Sequence, residues 1–126
     1  MTVRKLSLWA PVAVYMAAIF GMSSVSDTPG LPGGPSDKLI HAAVYAGLAV
    51  LLVRALAGGW RQPVGVPTAL LAAAVAVVYG ITDEVHQYFV PLRTMDAADI
   101  VADAAGAAAA AGVLYVRDII RGRHGL

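Results

Sequence analysis

Four long stretches of apolar residues alternate with short polar segments along the chain. The apolar stretches cover residues 6–22, 39–57, 66–87 and 100–116, and the third reaches spanning length only if its polar end at 83–87 continues the same helix. A helix needs roughly 20 mostly apolar residues to cross the hydrocarbon core of a membrane, with about 17 as the practical minimum. The segments between the stretches are loops by composition. The pattern predicts an all-α integral membrane protein, a bundle of four transmembrane helices in a single domain over residues 1–126.

Apolar residues surround each predicted helix instead of occupying one face. Residues 68–80, TALLAAAVAVVYG, have no polar side, so the amphipathic helices of a soluble bundle do not fit them. A signal peptide is an alternative for the first stretch, because Arg4 and Lys5 precede it. No clear cleavage site follows, however, and three further spans would remain. Of the 126 residues 59% are hydrophobic and 13% are charged, against about 25% charged in ordinary soluble domains.

The charged residues divide between the two sides of the predicted bundle. The side that carries both termini holds seven of the nine basic residues: Arg4, Lys5, Arg54, Arg61, Arg117, Arg121 and Arg123. The other side holds seven of the eight acidic residues: Asp27, Asp37, Asp83, Glu84, Asp96, Asp99 and Asp103. By the positive-inside rule the basic side is cytoplasmic. The sequence therefore predicts a multi-pass protein with both termini in the cytoplasm and its acidic side outside.

The second span begins with a polar stripe. Asp37, His41 and Tyr45 are spaced by four residues, so they share one side of the helix, next to Lys38. A carboxylate beside an imidazole fixes its tautomer and raises its basicity, which prepares a histidine as a general base or a metal ligand. The alternative is structural: Asp37 complements the positive end of the helix, and His41 packs at the membrane surface.

The third span ends in the sequence Asp83-Glu84-Val85-His86-Gln87. Two adjacent carboxylates at a helix C-terminus oppose the helix dipole and repel each other. We expect Lys38, Arg93 or a bound cation to compensate for them. The alternative is a solvated helix end in a loop.

The fourth span begins with three acidic residues, of which one is hard to explain by local structure. Asp96 and Asp99 suit an N-cap and a first helical turn. Asp103 lies one turn further into an Ala-rich span, where an unpaired carboxylate is costly. Because Asp99, Asp103 and Gly106 share a face, we expect both carboxylates to point into the bundle, with small residues allowing close helix contact.

These three polar sets predict one shared pocket near the outer surface of the membrane. Its candidate catalytic residues are Asp37, His41, Asp83, Glu84, Gln87 and Asp99, and its candidate substrate-binding residues are Lys38, Tyr45, His86, Arg93 and Asp103. Carboxylates and a histidine can hold a divalent cation, but the sequence does not choose among Mg, Mn, Ca and Zn, and no cofactor is assigned. The absence of Cys excludes disulfides and thiolate metal sites.

The motifs in their order along the chain resemble a known family. D-K-x-x-H-x-x-x-Y at 37–45, D-E-x-x-Q at 83–87, F-x-P-x-R at 89–93 and D-x-x-x-D-x-x-G at 99–106 are similar to the VanZ-like family of small bacterial membrane proteins. Two positions depart from the family pattern, which usually has Gly at Leu92 and Asn at Asp103. The resemblance implies a role in the cell envelope, at the bacterial cytoplasmic membrane. The protein after which the family is named is associated with low-level teicoplanin resistance by an undefined mechanism.

Several classes of function remain open at this point. The first is a membrane-embedded enzyme that acts on a lipid head group or a lipid-linked cell-wall intermediate by acid–base or metal-assisted chemistry, with water as the nucleophile. The second is a protein that binds such a lipid, or a glycopeptide, without chemistry. The third is a polar network that only fixes helix packing. An ion conduit ranks last, because the inner halves of the spans carry no ionisable residue. We expect a membrane lipid or lipid-linked precursor as the partner, no nucleic acid, and an oligomeric state that the sequence does not indicate.

Overall fold

The computed structural model describes residues 1–25 and 35–122, except for the side chains of Pro35 and Ser36. Within these residues the chain forms four helices and no strand: α1 (Val3–Ser23), α2 (Pro35–Ala57), α3 (Val66–Tyr88) and α4 (Ala97–Ile120). Each is long and apolar enough to cross a membrane, with Asp37–Ala57 as the qualifying part of α2. The predicted all-α architecture of four spans is confirmed.

The ends of the helices extend beyond the apolar stretches, because polar residues cap them. The Asp96 side chain accepts a hydrogen bond from the Ala98 N–H, as expected of an N-cap, so α4 begins three residues before the predicted span. Thr2 caps α1 in the same way through the N–H of Lys5. The polar segment 83–87 does continue α3, which ends at Tyr88. Of the bases assigned to the cytoplasmic side, Arg123 lies outside the described residues, as does Asp27 on the acidic side.

Contacts between helix ends show that consecutive helices run antiparallel, so that α1 and α3 are parallel to each other. At one end, Arg4 Nη2 donates to the Gly58 carbonyl at 2.9 Å and Arg54 Nη1 donates to the Ser7 carbonyl at 3.2 Å. At the other end, Ser24 Oγ lies 2.9 Å from His86 Nε2. We call the first the basic end. The second, where α1 and α3 finish and α2 and α4 start, is the acidic end.

The helices pack closely through small residues, as membrane helices commonly do. The α2–α4 interface is the most extensive in the bundle. A Cβ on Gly106 would lie only 2.6 Å from the Ala42 carbonyl carbon, so the two backbones approach at a distance that glycine alone permits. The buried alanines Ala72, Ala76 and Ala107 continue this packing.

Two tyrosines hold α1 at the edge of the bundle. Tyr15 Oη donates to the Val44 carbonyl and Tyr79 Oη donates to the Met16 carbonyl, both at 2.6 Å. Gly47 makes room for the first ring, because a Cβ there would lie 3.0 Å from Tyr15 Cζ. The outer surface carries exposed apolar side chains on every helix: Val14, Leu39, Leu70, Val78, Val101 and Val113. Such a surface suits lipid as its surroundings.

Candidate functional site

The ammonium group of Lys38, at the start of α2, contacts three carboxylates. Its Nζ donates to Asp96 Oδ2 at 2.7 Å and to Asp37 Oδ2 at 3.5 Å, and it also binds Asp99 Oδ1. The Lys38 ammonium holds the pKa of the Asp96 carboxyl, which lies just before α4, below its usual range. This cation therefore ties α2 to α4 through their first turns.

The imidazole of His41 lies among carboxylates from α4. Its Nδ1 is 2.9 Å from Asp103 Oδ1, and its Nε2 is 3.5 Å from Asp99 Oδ2. Asp37 was expected to orient the ring, but its Oδ1 lies 3.9 Å from Nε2, which is too long for a hydrogen bond. The physical reason is the close α2–α4 approach beside Ala42, the residue after His41, which brings the α4 carboxylates nearer than the one on the same helix.

A second network runs across the end of α3. Asp83 Oδ2 accepts from Tyr45 Oη and from Gln87 Nε2, both at 3.3 Å. Gln87 Oε1 accepts from Arg93 Nη2 at 2.9 Å, and Gln87 Nε2 reaches Ser23 Oγ at 3.5 Å. Tyr45 and Asp83 thus connect to Arg93 through the amide of Gln87. Within the described residues, Arg93 makes no direct ion pair with Asp83, so it compensates for that carboxylate only through Gln87.

Glu84, the residue after Asp83, contacts a different set of groups. It is fully buried, and its Oε2 accepts from the backbone N–H of Asp96 at 3.0 Å. Among the described residues no hydrogen-bond partner is found for Glu84 Oε1 or for Asp103 Oδ2, which are both buried. Gly80 gives Asp103 its space, because a Cβ there would lie 2.8 Å from that same Oδ2. Glu84, His41 and Asp103 each place a potential ligand atom within 4.8 Å of the others.

A cleft of about 480 Å³ lies at the acidic end, between α1, α2, α3 and the loop that leads to α4. Its polar lining includes Asp37, His41, Tyr45, Asp83, Gln87, Arg93 and Asp96. Its apolar lining includes Ile19, Met22, Ile40, Val44 and Leu92. Of the eleven candidate residues, the structure places six on this cleft. Four others contact lining residues: Lys38, Glu84, Asp99 and Asp103.

His86 lies apart from the other candidates. Its Nε2 is 2.9 Å from Ser24 Oγ, and its ring centroid is 4.3 Å from that of Phe20. It is not among the cleft-lining residues of the described chain. His86 follows Asp83 by three residues, so its side chain lies about 60° around the helix from that of Asp83. This direction faces Phe20 on α1.

Two carboxylates outside the candidate set also have defined roles. Asp96 was predicted only as a cap, yet it also binds Lys38 and donates its N–H to Glu84. Asp118, at the basic end, is fully buried; it accepts from the Val64 N–H at 2.8 Å and from Arg117 Nε at 2.9 Å. An acidic residue in the last turn of a helix is unfavourable, because its charge opposes the helix dipole. This position was the feature of the sequence that indicated a compensating partner for Asp118.

A family model matches nearly the whole chain. Neither the curated proteins nor the solved structures contain a match to the chain. The model of the family described as VanZ/LLP1 matches residues 2–120, which includes all four helices and every candidate residue. The chain therefore belongs to the VanZ-like family.

Proposed function

We propose that the protein binds the head group of a membrane lipid, or of a lipid-linked cell-wall precursor, in the cleft at the acidic end. We further propose that this end faces the outside of the bacterial cytoplasmic membrane and that both termini are cytoplasmic. Six bases of the described chain, at positions 4, 5, 54, 61, 117 and 121, lie toward the basic end, which favours that end as the cytoplasmic one.

The observation that carries the proposal is the mixed lining of the cleft. Ile19, Met22 and Val44 supply apolar walls, whereas Asp83 and Arg93 supply polar groups in the same cavity. A water-soluble ligand would leave the walls without a partner, and a hydrocarbon would leave the polar groups unpaired. A molecule with an acyl or prenyl chain and a charged head group matches both parts.

The charges of the cleft favour a head group that carries both a phosphate and an amine. Arg93 has five N–H donors, of which one binds Gln87 and another reaches the Val25 carbonyl at 3.4 Å. Its remaining donors can bind a phosphate. Asp37 and Asp83 line the same cleft and can bind an ammonium group. Lys38 is also a candidate substrate-binding residue, but its contacts with three carboxylates make Arg93 the better ligand for the phosphate.

A second candidate function, hydrolysis of the bound head group, is favoured by the pairing of His41 with Asp103. In such a reaction the His41 imidazole takes a proton from water, and the water oxygen attacks phosphorus. The bond to the alcohol breaks, and the imidazole returns the proton to the departing alkoxide. The products are an alcohol and a phosphate monoester. If the bound molecule is a cell-wall precursor, its retention in the cleft also provides a basis for teicoplanin resistance, to be tested by the teicoplanin susceptibility of a deletion strain.

The test is lipid retention by the purified protein. The protein is exchanged into nanodiscs of phosphatidylethanolamine mixed with phosphatidylglycerol, released in the mass spectrometer, and examined for bound lipid. We expect preferential retention of phosphatidylethanolamine, and a loss of about tenfold in Arg93→Gln, which removes a charge-assisted contact. Arg121→Gln, at the exposed end of α4, is the matched control and should retain lipid normally. Equal retention of both lipids, or equal loss in both variants, would contradict the proposal.

A further inference from the structure

We propose that His41, Glu84 and Asp103 form a binding site for a divalent transition-metal cation of the Zn²⁺ or Mn²⁺ type. The site joins α2, α3 and α4 and shares His41 with the lining of the cleft. The site can be tested with the metal alone, without lipid. It is an alternative to the hydrolysis described above, because a metal-bound imidazole of His41 has no free lone pair with which to accept a proton.

The first argument is geometric. The three side chains come from three different helices, and each offers one ligand atom within 4.8 Å of the other two. A cation bound at about 2.0–2.2 Å needs its ligands roughly 3–3.5 Å apart, which small side-chain rotations supply. A second group of three potential ligands includes the same histidine: Asp37, His41 and Asp99. Two further carboxylates therefore lie next to the first site.

The second argument is the pair of carboxylate oxygens without a partner. Glu84 and Asp103 have no exposed surface, and no hydrogen-bond partner is found for Glu84 Oε1 or Asp103 Oδ2 in the described chain. Buried polar groups are nearly always paired, and an unpaired buried carboxylate oxygen is costly. A cation coordinated by both residues would give these oxygens a partner. This observation separates the site from an ordinary cluster of acidic residues, whose oxygens are solvated.

The third argument is the balance of charge at the acidic end. Its described residues include six carboxylates, Asp37, Asp83, Glu84, Asp96, Asp99 and Asp103, and two permanently charged bases, Lys38 and Arg93. Lys38 binds Asp37, Asp96 and Asp99, whereas Arg93 binds Gln87. Within the described part of the chain, neither base forms an ion pair with Glu84 or Asp103. A divalent cation at these two residues supplies the missing positive charge where it is most needed, in the buried part of the layer.

The donor set indicates the class of metal. One imidazole nitrogen with two carboxylates suits Zn²⁺ and Mn²⁺, whereas Mg²⁺ and Ca²⁺ prefer all-oxygen sites. Three protein ligands also leave a coordination position open. Because His41 lines the cleft, a cation bound to its imidazole would lie beside the cavity. When bound there, the metal would supply positive charge toward a ligand in the cleft.

The experiment measures metal binding by the full chain in detergent. After treatment with a chelator, the protein is titrated with Zn²⁺ by calorimetry and with Mn²⁺ by electron paramagnetic resonance. We expect one saturable site for either metal and far weaker binding of Mg²⁺. Glu84→Gln and Asp103→Asn, which preserve shape, should each weaken binding by about tenfold or more. Pulsed resonance on the Mn²⁺ complex should show coupling to a nitrogen that disappears in His41→Asn.

The matched control is Asp83→Asn. Asp83 is a buried carboxylate next to Glu84 in the chain, but its Oδ2 accepts from Tyr45 and Gln87, and it belongs to neither set of three. Its substitution should weaken metal binding clearly less than Glu84→Gln does, because it removes a nearby charge but no ligand. Absence of saturable binding would overturn the proposal. So would equal weakening in Asp83→Asn and Glu84→Gln, which would indicate attraction by general negative charge instead of coordination.

Discussion

Nδ1 of His41 lies 2.9 Å from Oδ1 of Asp103, and this contact joins α2 to α4 across 62 positions of the chain. Asp103 is fully buried, and Gly80 on α3 leaves the space that its carboxylate occupies. Three helices therefore meet at one polar pair. Substitutions of Asp103 should therefore separate the contribution of its shape to stability from the contribution of its charge.

The first prediction concerns this pair. Asp103→Asn should change the free energy of unfolding little, because the amide oxygen can still accept from the imidazole. Asp103→Ala should lower it by about 1–3 kcal/mol, since it leaves His41 without this partner in a partly buried site. Thermal unfolding of the purified protein in detergent measures both. Equal stability of Asp103→Ala and the unchanged protein would show that the pair does not hold the helices together.

A second prediction tests the close approach of α2 and α4. A Cβ on Gly106 meets the Ala42 backbone, so Gly106→Ala should push the helices apart and destabilise the protein by about 1–3 kcal/mol. Gly112 lies on the same helix, and a Cβ added there would have no neighbouring atom within 4 Å. Gly112→Ala is therefore the matched control and should be neutral or slightly stabilising. Similar unfolding temperatures for the two variants would contradict the packing described for this interface.

The third prediction concerns Leu92, in the loop between α3 and α4. Its φ of +66° lies in the left-handed region, which costs an L-residue roughly 1–2 kcal/mol. Leu92→Gly removes this cost, but glycine's greater conformational freedom in the unfolded chain offsets part of the benefit. The substitution should therefore stabilise the protein by up to about 1 kcal/mol. Leu92→Ile should destabilise it, because β-branched residues tolerate positive φ poorly. The reverse order of unfolding temperatures would show that the loop carries no such strain.

The fourth prediction addresses the basic end. Asp118 accepts from the Val64 N–H, so Asp118→Ala should leave a buried donor unpaired and cost about 1–3 kcal/mol. Asp118→Asn keeps an acceptor and should cost less. Hydrogen exchange at Val64 gives a local readout, because its amide should exchange faster in Asp118→Ala than in Asp118→Asn. Unchanged exchange in both would argue against this contact.

The spans and the polar stripe of each helix were predictable, because hydropathy and helical periodicity are local properties of the chain. Which side chains meet between helices was not, because that depends on how closely the helices cross. His41 pairs with Asp103 instead of Asp37 because Gly106 admits the Ala42 backbone. His86 turns toward Phe20 for a similar reason, since the position of α1 decides what that side of α3 contacts. Only the packed structure shows that Glu84 Oε1 and Asp103 Oδ2 have no hydrogen-bond partner among the residues it describes.

The claim that the cleft opens to the outside of the cell is tested most directly by cysteine labelling, since the chain has no Cys of its own. Thr94→Cys places a thiol in the exposed loop beside the cleft, and Gln62→Cys places one in the exposed loop at the basic end. In intact cells a membrane-impermeant maleimide should label Thr94→Cys, and it should label Gln62→Cys only after the membrane is opened. Labelling of Gln62→Cys alone in intact cells would place the cleft in the cytoplasm and contradict the account.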